Sequence, residues 1–146
     1  MDFEKAMRFL ETAKAIGREK GVEVSVAVHD AAGHPVLVAR GKTEAWHGPY
    51  MAMGKARLAA AFRTSTAKLL ENWADRPLYP MSLTEIIPGG VTLNKGGVPI
   101  FENGECIGAI GVGGSSPDND HEVARRTVEQ LGAAKPGTGK DKDKDT

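Results

Sequence analysis

An Asn-Gly pair at Asn103-Gly104 is the sequence feature that most constrains the fold. Both residues tolerate the positive φ angles of a type I′ turn, which is the commonest two-residue connection of a β-hairpin. Strand-forming residues precede the pair at 98–101, and an apolar run follows at 106–112. Because the second run is apolar on both faces, we predict a central strand that is covered on both sides.

Two glycines, Gly108 and Gly111, interrupt this predicted central strand. Glycine weakens a strand, and it leaves a gap where another group can approach the backbone. Two interpretations are open at this point. The gaps serve close packing of a helix on the sheet, or they form the floor of a ligand pocket.

The remaining elements predict an α+β fold. Valines alternate with other residues from Val22 to Val28, and with the apolar run after the turn they predict a second hairpin over 22–40. Residues 76–94 are rich in Pro and Gly and read as an irregular stretch, with a possible short strand at 91–93. Predicted helices cover 2–20, 49–61, 65–74 and 116–132. We therefore predict a single antiparallel sheet of about five strands with helices packed on it.

Composition limits the classes of function. The chain of 146 residues carries 19 basic and 19 acidic side chains, so we expect no nucleic acid and no membrane surface as a partner. No signal peptide and no long apolar segment is visible, which predicts a cytoplasmic protein. We assign residues 1–134 to one domain. Residues 135–146 contain no apolar side chain and are predicted to form a flexible polar tail.

Four segments together resemble a known family. They are VAVHDAAGHPVLVAR at 26–40, AMGKA at 52–56, GGVPI at 96–100 and IGAIGV at 107–112. In this order and spacing they are similar to the GlcG/HbpS family, which includes the C-terminal domain of PduO-type proteins. The resemblance implies a profilin-like α+β domain, assembly into a homo-oligomer, and haem as the ligand of some members.

If haem is the ligand, the chain must supply an axial ligand and apolar surface. The candidate ligands are the four histidines, His29, His34, His47 and His121, followed by Cys106 and the five methionines. We place the metal ligand, or else a catalytic base, at His47, which follows Trp46 and precedes Tyr50; the alternative is a solvated loop histidine. His29 is predicted to pack under a helix, and His34 to be exposed in a turn.

The predicted ligand-binding residues also include two cationic side chains and four glycines. Arg40 could hold a carboxylate, such as a haem propionate, with two parallel hydrogen bonds. Lys55 lies on a helix rich in Ala and Met, where it is either a buried catalytic amine or a stem whose ammonium reaches solvent. The predicted pocket lies between residues 40–55 and the glycine-rich segment, with the glycines Gly96, Gly97, Gly108 and Gly111 at its wall.

Three functions remain open from the sequence. The first is a small-ligand binding protein whose ligand is haem. The second is a cofactor-free enzyme that acts on a carbonyl or carboxylate substrate, with Arg40 as the anchor and His47 or Lys55 as the general base. The third is an oligomeric interaction module.

Overall fold

The computed structural model describes residues 1–42 and 45–137. Most of the predicted polar tail, from residue 138 onward, lies outside the described part of the chain. The elements are α1 (Phe3–Glu19), β1 (Ser25–Asp30), β2 (Pro35–Ala39), α2 (Gly48–Phe62), α3 (Thr66–Asn72), α4 (Leu78–Ile86), β3 (Gly97–Glu102), β4 (Glu105–Gly113) and α5 (Pro117–Gln130). Among these residues the fold is α+β, as predicted.

The sheet is antiparallel and has four strands in the order β2-β1-β4-β3. The two central strands pair directly, with Val28 opposite Ile110. The predicted hairpin turn is confirmed, since Asn103 and Gly104 have φ angles of 51° and 81°. The central strand predicted after the turn is β4, one of these two, and helices cover it on both faces.

The two faces of the sheet carry different cores. On one face, α1 and α5 pack over a cluster that includes Val26, Val28, Ile110 and Val112. On the other face, α2 packs over a small-residue cluster that includes Ala27 of β1 and Ala109 of β4. The alternation of the first hairpin therefore sends the valines of β1 toward α1 and α5, and its odd-numbered residues toward α2.

The glycines of β4 serve close packing. A Cβ atom at Gly111 would collide with the carbonyl oxygen of Ala52 and would lie 2.7 Å from the backbone nitrogen of Ala56, both in α2. A Cβ atom at Gly108 would collide with the carbonyl oxygen of His29 in the neighbouring strand. The space over Gly111 is filled by the backbone of α2, so the structure supports the packing interpretation rather than a pocket floor.

The fifth strand is a correction, because residues 91–93 do not form a strand. Val91 and Leu93 instead pack against Leu58 of α2 and Trp73 at the end of α3. These two apolar side chains therefore pack on helices. An alternating pattern does not by itself show whether the neighbours are strands or helices.

A second correction concerns the irregular stretch, because it contains α4. Pro80 is the third residue of this helix and its only buried one. Proline is tolerated there because the first N–H groups of a helix have no acceptor within the helix. The breakers at 77, 80 and 88–90 therefore mark the two ends of a short helix.

The outer edge of β3 is occupied by other parts of the chain. The backbone N–H of Gly97 donates to Oγ1 of Thr66 over 3.0 Å. The N–H of Phe101 donates to the carbonyl oxygen of Ala133 over 2.9 Å. Pro99 lies between them and has no N–H to donate.

Side chains cap the starts of α1 and α5. Asp2 accepts a hydrogen bond from the N–H of Lys5 over 2.8 Å, and Ser116 accepts one from the N–H of Asn119 over 3.2 Å. None of the helices in the described ranges is long and apolar enough to cross a lipid bilayer.

Replacing Gly111 with alanine should destabilise the protein by about 3 kcal/mol or more, because the new methyl group meets helix backbone that cannot rotate away. Urea denaturation measures this loss. The control is Gly132→Ala, whose Cβ would meet no atom within 4 Å and which should cost only the left-handed backbone energy, about 1 kcal/mol. Equal losses in the two variants would contradict close packing at Gly111.

Candidate functional site

A pocket of about 200 Å³ lies where α2 and α5 begin. It brings together two residues predicted from sequence, His47 and Lys55, and adds the acid Asp120. Met51, Asn94 and Ser115 also line it. The walls come from the first turns of two helices and the segments that lead into them.

Lys55 lies at the base of this pocket with only 2% of its surface exposed. Its Nζ donates to Oδ2 of Asp120 over 3.1 Å and to the carbonyl oxygen of Val112 over 2.9 Å. The interpretation in which the ammonium reaches solvent is therefore wrong. Lys55 is buried, and it is paired with an acid.

Asp120 is the partner that the sequence did not reveal. It is also 2% exposed, and its second oxygen, Oδ1, accepts from the N–H of Ser115 over 3.1 Å. Burial raises the pKa of this carboxyl, and the ammonium of Lys55 opposes that rise with a smaller effect. Asp120 lies in the first turn of α5, where the helix dipole favours an acid, and this local pattern does not identify its partner.

The two glycines at the start of β3 make room for Lys55. A Cβ atom at Gly96 would lie 2.9 Å from Cδ and 3.0 Å from Nζ of Lys55. A Cβ atom at Gly97 would collide with the Lys55 carbonyl oxygen. Gly96 and Gly97 therefore pack against the buried lysine and do not line the pocket. Gly108 and Gly111 pack against backbone atoms of neighbouring elements, as described above.

An exposed group of three rings stands beside the pocket, and we call Trp46, His47 and Tyr50 the aromatic face. Trp46 is 69% exposed and Tyr50 is 67% exposed. The Trp46 ring meets the His47 ring at 5.8 Å and the Tyr50 ring at 6.3 Å, both edge to face. His47 occupies the N-cap position of α2, and its side chain makes no capping hydrogen bond.

Arg40 lies in a different cavity from His47 and Lys55. That cavity has a volume of about 330 Å³ and is bounded by α1 and the end of β2. The structure therefore separates the predicted carboxylate anchor from both predicted bases.

The other histidines lie outside the pocket. His29 is fully buried, and its Nδ1 lies 2.9 Å from the carbonyl oxygen of Gly33. Because a carbonyl only accepts, Nδ1 carries the proton, and Nε2 is left buried without a hydrogen-bond partner among the described residues. The predicted exposure of His34 is confirmed, with 78% of its side chain accessible. Within the described ranges, no three His, Cys, Asp or Glu side chains form a group that could hold a metal ion.

Removing one partner of the buried ion pair should be costly. We expect Asp120→Asn to destabilise the protein by about 3–5 kcal/mol, because it leaves the ammonium of Lys55 buried without a counter-charge. The double variant Lys55→Met/Asp120→Leu should recover most of that loss. Urea denaturation measures both.

The control for this pair lies in the same helical turn. Asp118 forms an exposed ion pair with Lys95, with side chains 85% and 44% accessible, so Asp118→Asn should cost little stability. The interpretation fails if Asp120→Asn costs no more than Asp118→Asn.

His29 should make stability depend on pH. Burial lowers the pKa of this imidazole below its ordinary 6.5, and the charge of Arg57 lowers it further. The unfolded chain then binds a proton that the folded chain does not, so stability should fall as the pH drops below about 6.5. His29→Asn keeps an amide donor in place of Nδ1 and should flatten that fall, measured as unfolding free energy between about pH 7 and 5. His34→Asn is the control, and an unchanged slope in His29→Asn would contradict the assignment.

Two known proteins are similar to most of this chain. A curated relative from Citrobacter freundii, an uncharacterized 15.0 kDa protein in the dhaT-dhaS intergenic region, is 27% identical over 127 residues, which make up 85% of this chain and 87% of that protein. The crystal structure of HbpS is 29% identical with a TM-score of 0.78, covering 90% of this chain and 89% of that one.

A third similar protein was crystallised with a ligand. The structure of a PduOC:heme complex has a TM-score of 0.79 and covers 92% of this chain and 96% of that one. At 24% identity, this likeness shows the shared fold.

The family assignment rests on the match along the sequence. A family model described as haem degrading protein HbpS-like matches residues 1–129. The resemblance seen in the glycine-rich and hairpin segments is thereby confirmed, and the chain belongs to the HbpS-like family.

Proposed function

We propose that this protein binds haem at the aromatic face, with the imidazole of His47 as the axial ligand of the iron. One observation carries the proposal: an exposed histidine without a capping hydrogen bond stands beside the exposed Trp46 ring, which also meets the exposed ring of Tyr50. Membership of the HbpS-like family and the heme complex of PduOC support the choice of ligand.

The residues of the aromatic face fit the chemistry of haem. Iron requires a nitrogen, sulfur or oxygen donor, and a neutral imidazole is a common one. The macrocycle is apolar and flat, and the rings of Trp46 and Tyr50 offer apolar surface at the same place. Met51 adds a thioether group at the pocket wall.

Bound haem would supply redox chemistry and chemistry with oxygen at its iron. The protein would contribute the position of the haem and its shielding from water. His47 would hold the iron, and the rings of Trp46 and Tyr50 would shield part of the macrocycle from water. The ion pair between Lys55 and Asp120 fixes the first two turns of α2 against α5, and this sets where His47 stands.

A cofactor-free enzyme has less support, because the residues predicted to carry its reaction are not placed to act together. Lys55 donates its ammonium hydrogens to Asp120 and Val112, so it must break a buried ion pair before it can accept a proton. Arg40, the proposed substrate anchor, lies in another cavity. Anchor and bases therefore share no site among the described residues.

Assembly into a homo-oligomer stays a prediction from the family resemblance. Helix α4 supports it, because several of its apolar side chains are exposed. Leu78, Met81 and Ile86 are 77%, 56% and 71% exposed. Exposed apolar side chains grouped on one element are typical of surfaces that bind another protein.

Titration with hemin tests the proposed function. The wild-type protein should give a sharp, saturable Soret band. His47→Ala should weaken binding by at least about tenfold and shift the band, because the axial imidazole is gone. Trp46→Leu should weaken binding but leave the position of the band unchanged.

The control for this titration is His34→Ala, since His34 is exposed in a turn and lies outside the aromatic face. It should titrate like the wild type. A nonspecific wild-type titration would contradict haem binding, and a titration of His47→Ala identical to that of the wild type would contradict His47 as the ligand.

A further inference from the structure

Four basic side chains line one cavity that the proposed haem site does not use. The cavity has a volume of about 330 Å³, and its cationic lining consists of Lys14, Arg18, Arg40 and Lys42. Glu23 is the one acid among its described lining residues. The chain as a whole is balanced, with 19 basic and 19 acidic side chains, so an excess of three positive charges is concentrated here.

Helix geometry places two of these cations together. Lys14 and Arg18 are four residues apart on α1, so they lie on the same face of the helix, in line with Leu10, which also lines the cavity. Like charges at this spacing repel and destabilise a helix. The pair therefore carries an energetic cost that an anion between the side chains would remove.

The chain after β2 brings the other two cations to the same place. Arg40 and Lys42 flank Gly41, whose N–H donates to Oγ of Ser25 over 3.0 Å. Gly41 also packs on the backbone of Val24, where a Cβ atom would lie 3.1 Å from the Val24 nitrogen. The backbone that presents Arg40 and Lys42 is thus fixed against β1.

None of the four cations has an acidic partner in the described part of the chain. The ion pairs found there involve other basic residues. The rest of the lining is mostly apolar and includes Leu10, Val22, Val24 and Ala39. The cavity therefore combines uncompensated positive charge with an apolar floor.

We propose that this cavity binds a small anion with two or more negative charges, carried by carboxylate or phosphate groups. Arg18 and Arg40 would bind it through paired N–H groups, which match the oxygens of both anions. Lys14 and Lys42 would add charge without fixed geometry. The site shares no lining residue with the pocket at the start of α2.

Thermal unfolding with defined anions tests this proposal. Citrate and pyrophosphate should each raise the melting temperature in a saturable manner, because a ligand that binds only the folded state stabilises it. Sodium chloride at equal ionic strength controls for screening, and acetate controls for a single carboxylate. A response to either polyanion above both controls supports the site, and the comparison of the two identifies carboxylate or phosphate as the preferred group.

The decisive variant is Arg18→Gln/Arg40→Gln. Both side chains are exposed, so the fold should persist. Without added anion, the variant should melt at a higher temperature than the wild type, because repulsion is relieved. With citrate or pyrophosphate it should bind at least about tenfold more weakly. The matched control is Arg63→Gln/Arg76→Gln, which removes the same charge from exposed positions outside the cavity and should keep the wild-type response.

Three results would overturn the proposal. The first is a wild-type response to citrate and pyrophosphate no larger than the response to sodium chloride. The second is an equal loss of response in the two double variants. The third is loss of the hemin titration in Arg18→Gln/Arg40→Gln, which would make the cavity part of the haem site. His47→Ala should keep the response to anions even if it no longer binds hemin.

Discussion

The buried pair of Lys55 and Asp120 is the interaction on which the arrangement around the candidate site depends. Two opposite charges lie out of water, and each would be costly there alone. The attraction between them is supplemented by the Val112 carbonyl oxygen and the Ser115 N–H, so each charged group has a second hydrogen-bond partner. The pair joins α2, the end of β4 and the start of α5. It specifies one relative placement of these three elements, because any displacement leaves a charge buried and unpaired.

The backbone of helix α2 lies directly against Gly111 of the sheet, and this closeness has two effects. Glycine and alanine at the contact let its backbone rest on β4, which leaves no ligand-sized space between α2 and Gly111. The helix then acts as a rigid support whose first turn carries His47 at the surface. The site that follows from this construction is a surface beside a helix start and not an enclosed slot. The residues that it presents are the exposed aromatic face and, next to it, the buried pair of Lys55 and Asp120.

Features whose cause is local could be predicted from sequence, and features that depend on distant partners could not. The turn at Asn103-Gly104 and the caps at Asp2 and Ser116 are set by neighbouring residues, and all three are present. The ion pair of Lys55 joins residues 65 positions apart, and no local pattern reveals it. Residues 91–93 alternate like a strand, but the apolar side chains that they contact belong to helices. Nearness in sequence predicts that Arg40 shares the site of His47, but the chain carries the two into separate cavities.

The occupied edge of β3 limits how copies of this protein can associate. An unpaired edge strand offers a row of N–H and C=O groups on which a strand of another chain can align. Here the N–H of Gly97 is bound by a threonine hydroxyl, Pro99 has none, and the N–H of Phe101 is bound by the segment after α5. A foreign strand would have to displace native hydrogen bonds and then find no donor at the proline. This side of the sheet offers a foreign strand no free N–H at Gly97, Pro99 or Phe101, which protects it from growth into a continuous sheet between molecules.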